Sequence, residues 1–146
     1  METELYERLV AAARRARAAA YAPYSRYKVG AAIATRSGAI FSGCNVENAS
    51  YGACLCAERN AIGQMVAAGE TEAVACVVVT QGPRAGSPCG ICRQVLSEFA
   101  QDMTIVLIGD GSHAPDQPRQ DDDRRETTLA ALLPDAFEKS ALPGRP

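Results

Sequence analysis

The chain has 146 residues and a mass of 15.4 kDa, the size of one ordinary domain. At 47% apolar and 22% charged it is neither disordered, collagenous nor coiled-coil, and no apolar run approaches the roughly 18 residues that cross a bilayer. Lys+Arg number 15 against 17 Asp+Glu and Trp is absent, so the basic face and stacking aromatics of a polynucleotide binder are missing.

In chain order, Leu5, Leu9, Ala12, Ala16 and Ala20 recur at helical spacing, and Ala22-Pro23-Tyr24-Ser25 stops the helix. Residues 27–35 and 39–45 read as two strands joined at Arg36-Ser37-Gly38, a hairpin. Residues 56–68 read as a helix closed by Gly69, and 73–80 as a strand covered on both faces. A helix over 89–100 follows Pro88, and 104–108 is a second buried strand. Gly109 to Arg125 reads as loop, with Pro115, Pro118 and the charge run Asp121-Asp122-Asp123-Arg124-Arg125; a short helix over 127–133 closes the pattern. The expectation is a single domain over 1–146, with a flexible loop at 110–126 and a flexible tail at 138–146. This order implies an α/β fold, a three-layer α/β/α sandwich around a central mixed sheet of about five strands.

Met1-Glu2-Thr3-Glu4 has neither the charge nor the apolar sequel of a secretory signal, so a cytoplasmic location is expected and the 6 cysteines read as reduced thiols. Two segments concentrate the chemistry: Cys54-Leu55-Cys56-Ala57-Glu58-Arg59 and Pro88-Cys89-Gly90-Ile91-Cys92-Arg93. Cys89 and Cys92 share one face of a helix's first turn, and Cys56 opens another helix; helix N-termini favour thiolates. Three such thiolates suit a tetrahedral Zn²⁺ with one position left open for water. Glu58, two residues past Cys56, stands where it can carry protons beside that water. As plain structure it is a first-turn carboxylate favoured by the helix dipole. Cys54 keeps a rival open, a four-thiolate structural zinc module without catalysis. A redox reading of Cys89 and Cys92 lacks the accompanying thioredoxin-like pattern. Cys44 and Cys76 read as small core residues, and His113, the only histidine, as a solvated loop residue.

Cys56-Ala57-Glu58-Arg59 followed by Pro88-Cys89-Gly90-Ile91-Cys92-Arg93-Gln94-Val95 resembles the short, homotetrameric cytidine deaminases; base deaminases share a related His/Cys-x-Glu and Pro-Cys-x-x-Cys signature. Tyr21-Ala22-Pro23-Tyr24-Ser25, Val29-Gly30-Ala31-Ala32, Gly43-Cys44-Asn45-Val46-Glu47-Asn48 and Leu132-Leu133-Pro134-Asp135-Ala136-Phe137 extend the resemblance, which thins only over 110–125. It implies Cys56, Cys89 and Cys92 as ligands of one Zn²⁺ per subunit and Glu58 as the proton shuttle. Asn45 and Glu47 would hold the ribose hydroxyls; residues i and i+2 on a strand point the same way. Tyr27, where the family usually has Phe, would line the sugar and base pocket, and the Ala57 backbone would contact the base. Phe137 would enter a neighbouring subunit's pocket, with Tyr51 near the subunit contacts. Arg59, one helical turn from Cys56, would offset the thiolate charge; Arg93 is either a second such cation or a surface charge.

The implied reaction is zinc-dependent hydrolysis of free cytidine and deoxycytidine to uridine and deoxyuridine with release of ammonia, a step of pyrimidine salvage. The implied enzyme is a homotetramer with shared active sites and no nucleic-acid or membrane partner. A blasticidin-type deaminase shares the zinc motifs but differs around Asn45-Val46-Glu47-Asn48. A deaminase of tRNA or DNA fits an acidic chain with Cys at position 56 less well.

Overall fold

In the three central strands, residues of one parity face one helix layer and those of the other parity face the second, which is why those strands are apolar along nearly their whole length. The computed structural model describes residues 1–111 and 123–144. They form α1 (Thr3–Ala18), β1 (Val29–Thr35), β2 (Ile40–Cys44), α2 (Ala57–Ala67), β3 (Ala73–Gln81), α3 (Gly90–Phe99), β4 (Thr104–Asp110), β5 (Asp123–Thr128) and α4 (Leu129–Leu132), with 3₁₀ turns at Tyr51–Ala53 and Lys139–Ala141. The strands lie in the order β2-β1-β3-β4-β5. Only β3 and β4 pair in parallel, so the sheet is mixed as expected.

Ala32, Ala34, Val77, Val79, Val106 and Ile108 pack on Leu9, Val10 and Ala13 of α1. Ala31, Ile33, Cys76, Val78, Ile105 and Leu107 pack on Ala61, Ile62 and Met65 of α2 and on Leu96 of α3. The α/β/α sandwich follows, each fully buried Val, Leu or Ile contributing about 1.5–3 kcal/mol. Gly43 in β2 sets how closely α2 approaches: a Cβ there would lie 2.6 Å from the Ala57 carbonyl and 2.5 Å from the Ala61 nitrogen. The absence of a side chain at Gly43 therefore seats the start of α2, with Cys56 and Glu58, directly on the sheet.

The expected loop over 110–126 needs correction at its end. Asp123 to Thr128 is a strand antiparallel to β4, in register from Gly109 opposite Asp123 to Thr104 opposite Thr128. It carries no apolar residue because it is an edge strand, held by backbone pairing rather than by burial. The following helix begins at Leu129, where the Thr128 hydroxyl accepts from the Ala131 nitrogen at 3.2 Å. The expected tail over 138–146 contains one ordered turn, Lys139–Ala141. His113, Asp121 and Asp122 lie outside the described residues. Among those described, no helix is long and apolar enough to cross a membrane.

Candidate metal and catalytic centre

Two helix starts meet at this site. Cys56 is the N-cap of α2 and Cys89 the N-cap of α3, and neither side chain makes a capping hydrogen bond. Their sulfurs instead face each other at 3.7 Å. Cys92, one turn into α3 and fully buried, completes a group whose three Sγ atoms all lie within 4.8 Å of one another. Zinc–sulfur bonds of about 2.3 Å in a tetrahedron place sulfurs about 3.8 Å apart, so this donor set fits Zn²⁺ in size and chemistry. Cys54 lies outside the group. Its Sγ accepts from the Asn48 nitrogen at 3.3 Å and donates to the Asn48 carbonyl at 3.7 Å. The four-thiolate module that the sequence left open is therefore not what these cysteines build, and a metal here keeps one vertex free of protein sulfur.

Beside the thiols sits Glu58, only 4% exposed. Its Oε2 accepts from the Cys92 thiol at 3.6 Å. Burial pushes the carboxyl pKa above the ordinary glutamate value, and negative charge on Cys56 pushes it further the same way. Arg59 Nη2 donates to the Cys54 carbonyl at 3.1 Å and to Cys56 Sγ at 3.7 Å. The Cys56 pKa is lowered to about 5, first by the Cys92 thiol's hydrogen bond and then by Arg59. Three thiolates around a divalent ion would leave one net negative charge, and the Arg59 guanidinium lies against one of the three sulfurs. Arg93 bonds elsewhere. Its Nε donates to the Pro88 carbonyl at 2.8 Å and its Nη1 to the Leu132 carbonyl at 2.7 Å. It ties α3 to the chain on either side, so it is neither a cation against the sulfurs nor a plain surface charge.

A second group forms where the segment after β2 passes the loop after α1. Val46 bridges to Tyr21 on one side and Leu55 on the other. The expected strand through Asn45 stops at Cys44, because the Asn45 amide takes over the pairing. Its Oδ1 accepts from the Val29 nitrogen and its Nδ2 donates to the Tyr27 carbonyl, both at 2.8 Å. Glu47 accepts from the Tyr24 nitrogen at 2.9 Å, the Ser25 nitrogen at 3.0 Å and the Ser25 hydroxyl at 2.5 Å. These bonds, the Ser25 hydroxyl foremost, hold its carboxyl below the usual glutamate range. Sequence reasoning passed over Ser25, whose only signal was a hydroxyl in the turn after Pro23.

The remaining expected residues are placed as follows. Tyr27 is 42% exposed, and its hydroxyl comes within 3.0 Å of where a Gly86 Cβ would stand, beside the loop that leads to Cys89. Ala57 is fully buried at the start of α2. Tyr51 meets Tyr24 edge to face, with ring centres 6.2 Å apart. Phe137 is held through its carbonyl by Gln94 Nε2 at 2.9 Å, and the residue is 63% exposed.

Residues 3–108 match the family model for the cytidine and deoxycytidylate deaminase zinc-binding region. The chain is 43% identical over 138 residues to a cytidine deaminase of Sporosarcina psychrophila, covering 93% of each. A cytidine deaminase of Halalkalibacterium halodurans is 41% identical over 129 residues, 88% of this chain and 91% of that one. The crystal structure of cytidine deaminase from Burkholderia pseudomallei, 44% identical, superposes with a TM-score of 0.78 over 94% of this chain and 100% of that chain. With three clustered thiols, a buried glutamate and an arginine standing on the segments that carry this similarity, the chain belongs to the cytidine and deoxycytidylate deaminase zinc-binding family.

Proposed function

We propose that this protein hydrolyses free cytidine and deoxycytidine to uridine and deoxyuridine with release of ammonia, as a step of pyrimidine salvage in the cytoplasm. One observation carries the reading: a carboxylate 4% exposed, Glu58, lies against a three-sulfur metal-binding group that leaves one position open. Zinc held by Cys56, Cys89 and Cys92 would supply Lewis-acid activation of the attacking water. Glu58 takes a proton from that water and delivers it to ring N3, which makes C4 more electrophilic. The hydroxide oxygen adds at C4; Glu58 then takes the remaining proton from that hydroxyl and gives it to the exocyclic amine, which leaves as ammonia as the C4 carbonyl forms and N3 keeps its proton. Burial raises this carboxyl's pKa above the ordinary glutamate value, the direction that favours its taking up a proton from the attacking water.

Asn45 and Glu47 hold the ribose diol, and Tyr27 lines the sugar and base pocket with a hydroxyl added to it. The Ala57 backbone contacts the base. Glu47 is suited to its role because its own protein hydrogen bonds fix it as an ionised acceptor before substrate arrives. The active unit is a homotetramer in which Phe137 of a neighbouring subunit closes the pocket; a 63% exposed ring on a tethered backbone supports this. An absorbance assay on cytidine, deoxycytidine and blasticidin S, run alongside zinc analysis, tests the reading. Turnover of the two nucleosides by zinc-loaded protein is the expected result. Turnover of blasticidin S alone, or none at all with zinc bound, overturns it.

A further inference from the structure

The charged run ending at Arg125 makes contacts that deamination does not explain. Along β5 the side chains alternate. Arg124 lies over the Tyr6 ring at 4.3 Å, on the side of α1, whereas Asp123 and Arg125 reach the loop between β3 and α3. Asp123 Oδ2 accepts from the Ala85 nitrogen at 2.9 Å. Arg125 Nη2 donates to the Ser87 hydroxyl at 2.6 Å. The loop is held from two further directions. The Gly86 nitrogen donates to Thr80 Oγ1 at 3.0 Å, and the Pro88 carbonyl accepts from Arg93 Nε at 2.8 Å. Four consecutive residues, 85 to 88, are each fixed by a hydrogen bond from elsewhere in the chain, two of the four coming from β5. The backbone approach is close as well. Gly109, the β4 partner of Asp123, would place a Cβ 2.5 Å from the Arg84 carbonyl carbon and 2.7 Å from the Ala85 nitrogen.

The next residue is Cys89, the exposed member of the sulfur group. We propose that Asp123 and Arg125 are positioning residues for the metal centre, clamping the 85–88 loop so that the Cys89 sulfur is held at metal-sharing distance from those of Cys56 and Cys92. The proposal rests on the three-cysteine metal centre and not on which nucleoside is turned over. An outer partner of a ligand typically controls metal retention about 10–100-fold. Asp123 and Arg125 hold Ala85 and Ser87 rather than the ligand itself, so the expected effect lies just below that range.

The test uses zinc-loaded full-length protein and follows transfer of zinc to the chromophoric chelator 4-(2-pyridylazo)resorcinol, with a thermal midpoint recorded for each variant. Arg125→Ala and Asp123→Ala should release zinc about five- to tenfold faster than wild type, and Arg125→Lys should recover most of the loss. Ser87→Ala removes the same bond from the loop side and should match Arg125→Ala; it keeps the test sound if a strand variant folds poorly. Arg124→Ala, on the same strand but the opposite face, should release zinc at the wild-type rate. Unchanged release in Arg125→Ala and Ser87→Ala, or equal acceleration in Arg124→Ala, overturns the proposal. Wild-type protein that binds no zinc at all would instead overturn the metal centre on which it stands.

Discussion

Glu58→Gln exchanges one carboxylate oxygen for an amide nitrogen of nearly equal size in a site that is 4% exposed. The side chain keeps its volume, so the substitution opens no cavity in the packing around α2. Zinc should therefore stay at wild-type stoichiometry, since every donor in the metal group is a cysteine sulfur. What disappears is the ability to accept and return protons. A positioned general acid–base typically contributes about 10²–10⁴-fold, and Glu58 moves a proton on both sides of the addition step, so the upper end applies. Four decades correspond to about 5.4 kcal/mol of transition-state free energy. The decisive assay pairs steady-state deamination of cytidine with elemental zinc analysis on the same preparation. If kcat stays within tenfold of wild type, another group carries the protons. If zinc is lost, Glu58 is a ligand and the open-vertex geometry is wrong.

Cys54→Ser should leave zinc content and turnover close to wild type, whereas Ser at Cys56, Cys89 or Cys92 should strip the metal; elemental analysis separates the two classes, and zinc loss from Cys54→Ser would restore the closed four-thiolate site. Truncation before Phe137 should raise KM for cytidine roughly tenfold, which is about 1.4 kcal/mol of lost contact, with zinc content unchanged. Sedimentation velocity on the full chain checks the premise, because a fully active monomer would remove any role for a neighbour's ring. Ser25→Ala deletes the bond that most lowers the Glu47 pKa. Its carboxyl should then protonate at a higher pH than in wild type as the solution is acidified. The acid-side rise in KM for cytidine should accordingly begin at higher pH, while kcat at saturation holds. Superimposable KM profiles for the two proteins would refute this role.

The buried layers were legible because burial writes itself as apolar pattern. Residues 73–80 and 104–108 are strands covered on both faces, and their runs are almost purely apolar. The metal group was legible for another reason: thiols at a three-residue spacing after a helix start share a face wherever the helix is packed. β5 was not legible, since an edge strand of charged and hydroxyl residues owes its existence to the backbone groups of β4, which no local pattern records. Asn45 was half legible. Its residue type suggested a ligand contact, but its amide also stands in for a partner strand's backbone, accepting from the Val29 nitrogen and donating to the Tyr27 carbonyl. In sequence Arg93 reads as a second compensating cation or a surface charge and Arg125 as part of a charge run; only the folded chain brings the Pro88 carbonyl and the Ser87 hydroxyl within their reach.

Cys56 and Cys89 begin their helices without side-chain caps. At such positions Ser, Thr, Asp or Asn typically stabilises a helix by about 0.5–2 kcal/mol relative to an uncapped residue. Cys56→Ser and Cys89→Ser would supply such caps, but both dismantle the metal centre and forfeit the stabilisation that a bound ion gives the folded state. At these two atoms the helix-capping preference and the metal chemistry call for different side chains, so a choice made on local helix propensity alone delivers an inert protein. The start of α1, where Glu2 likewise makes no side-chain cap, offers the same local gain on a helix that contributes nothing to the sulfur group, and hardening of this fold is best begun there.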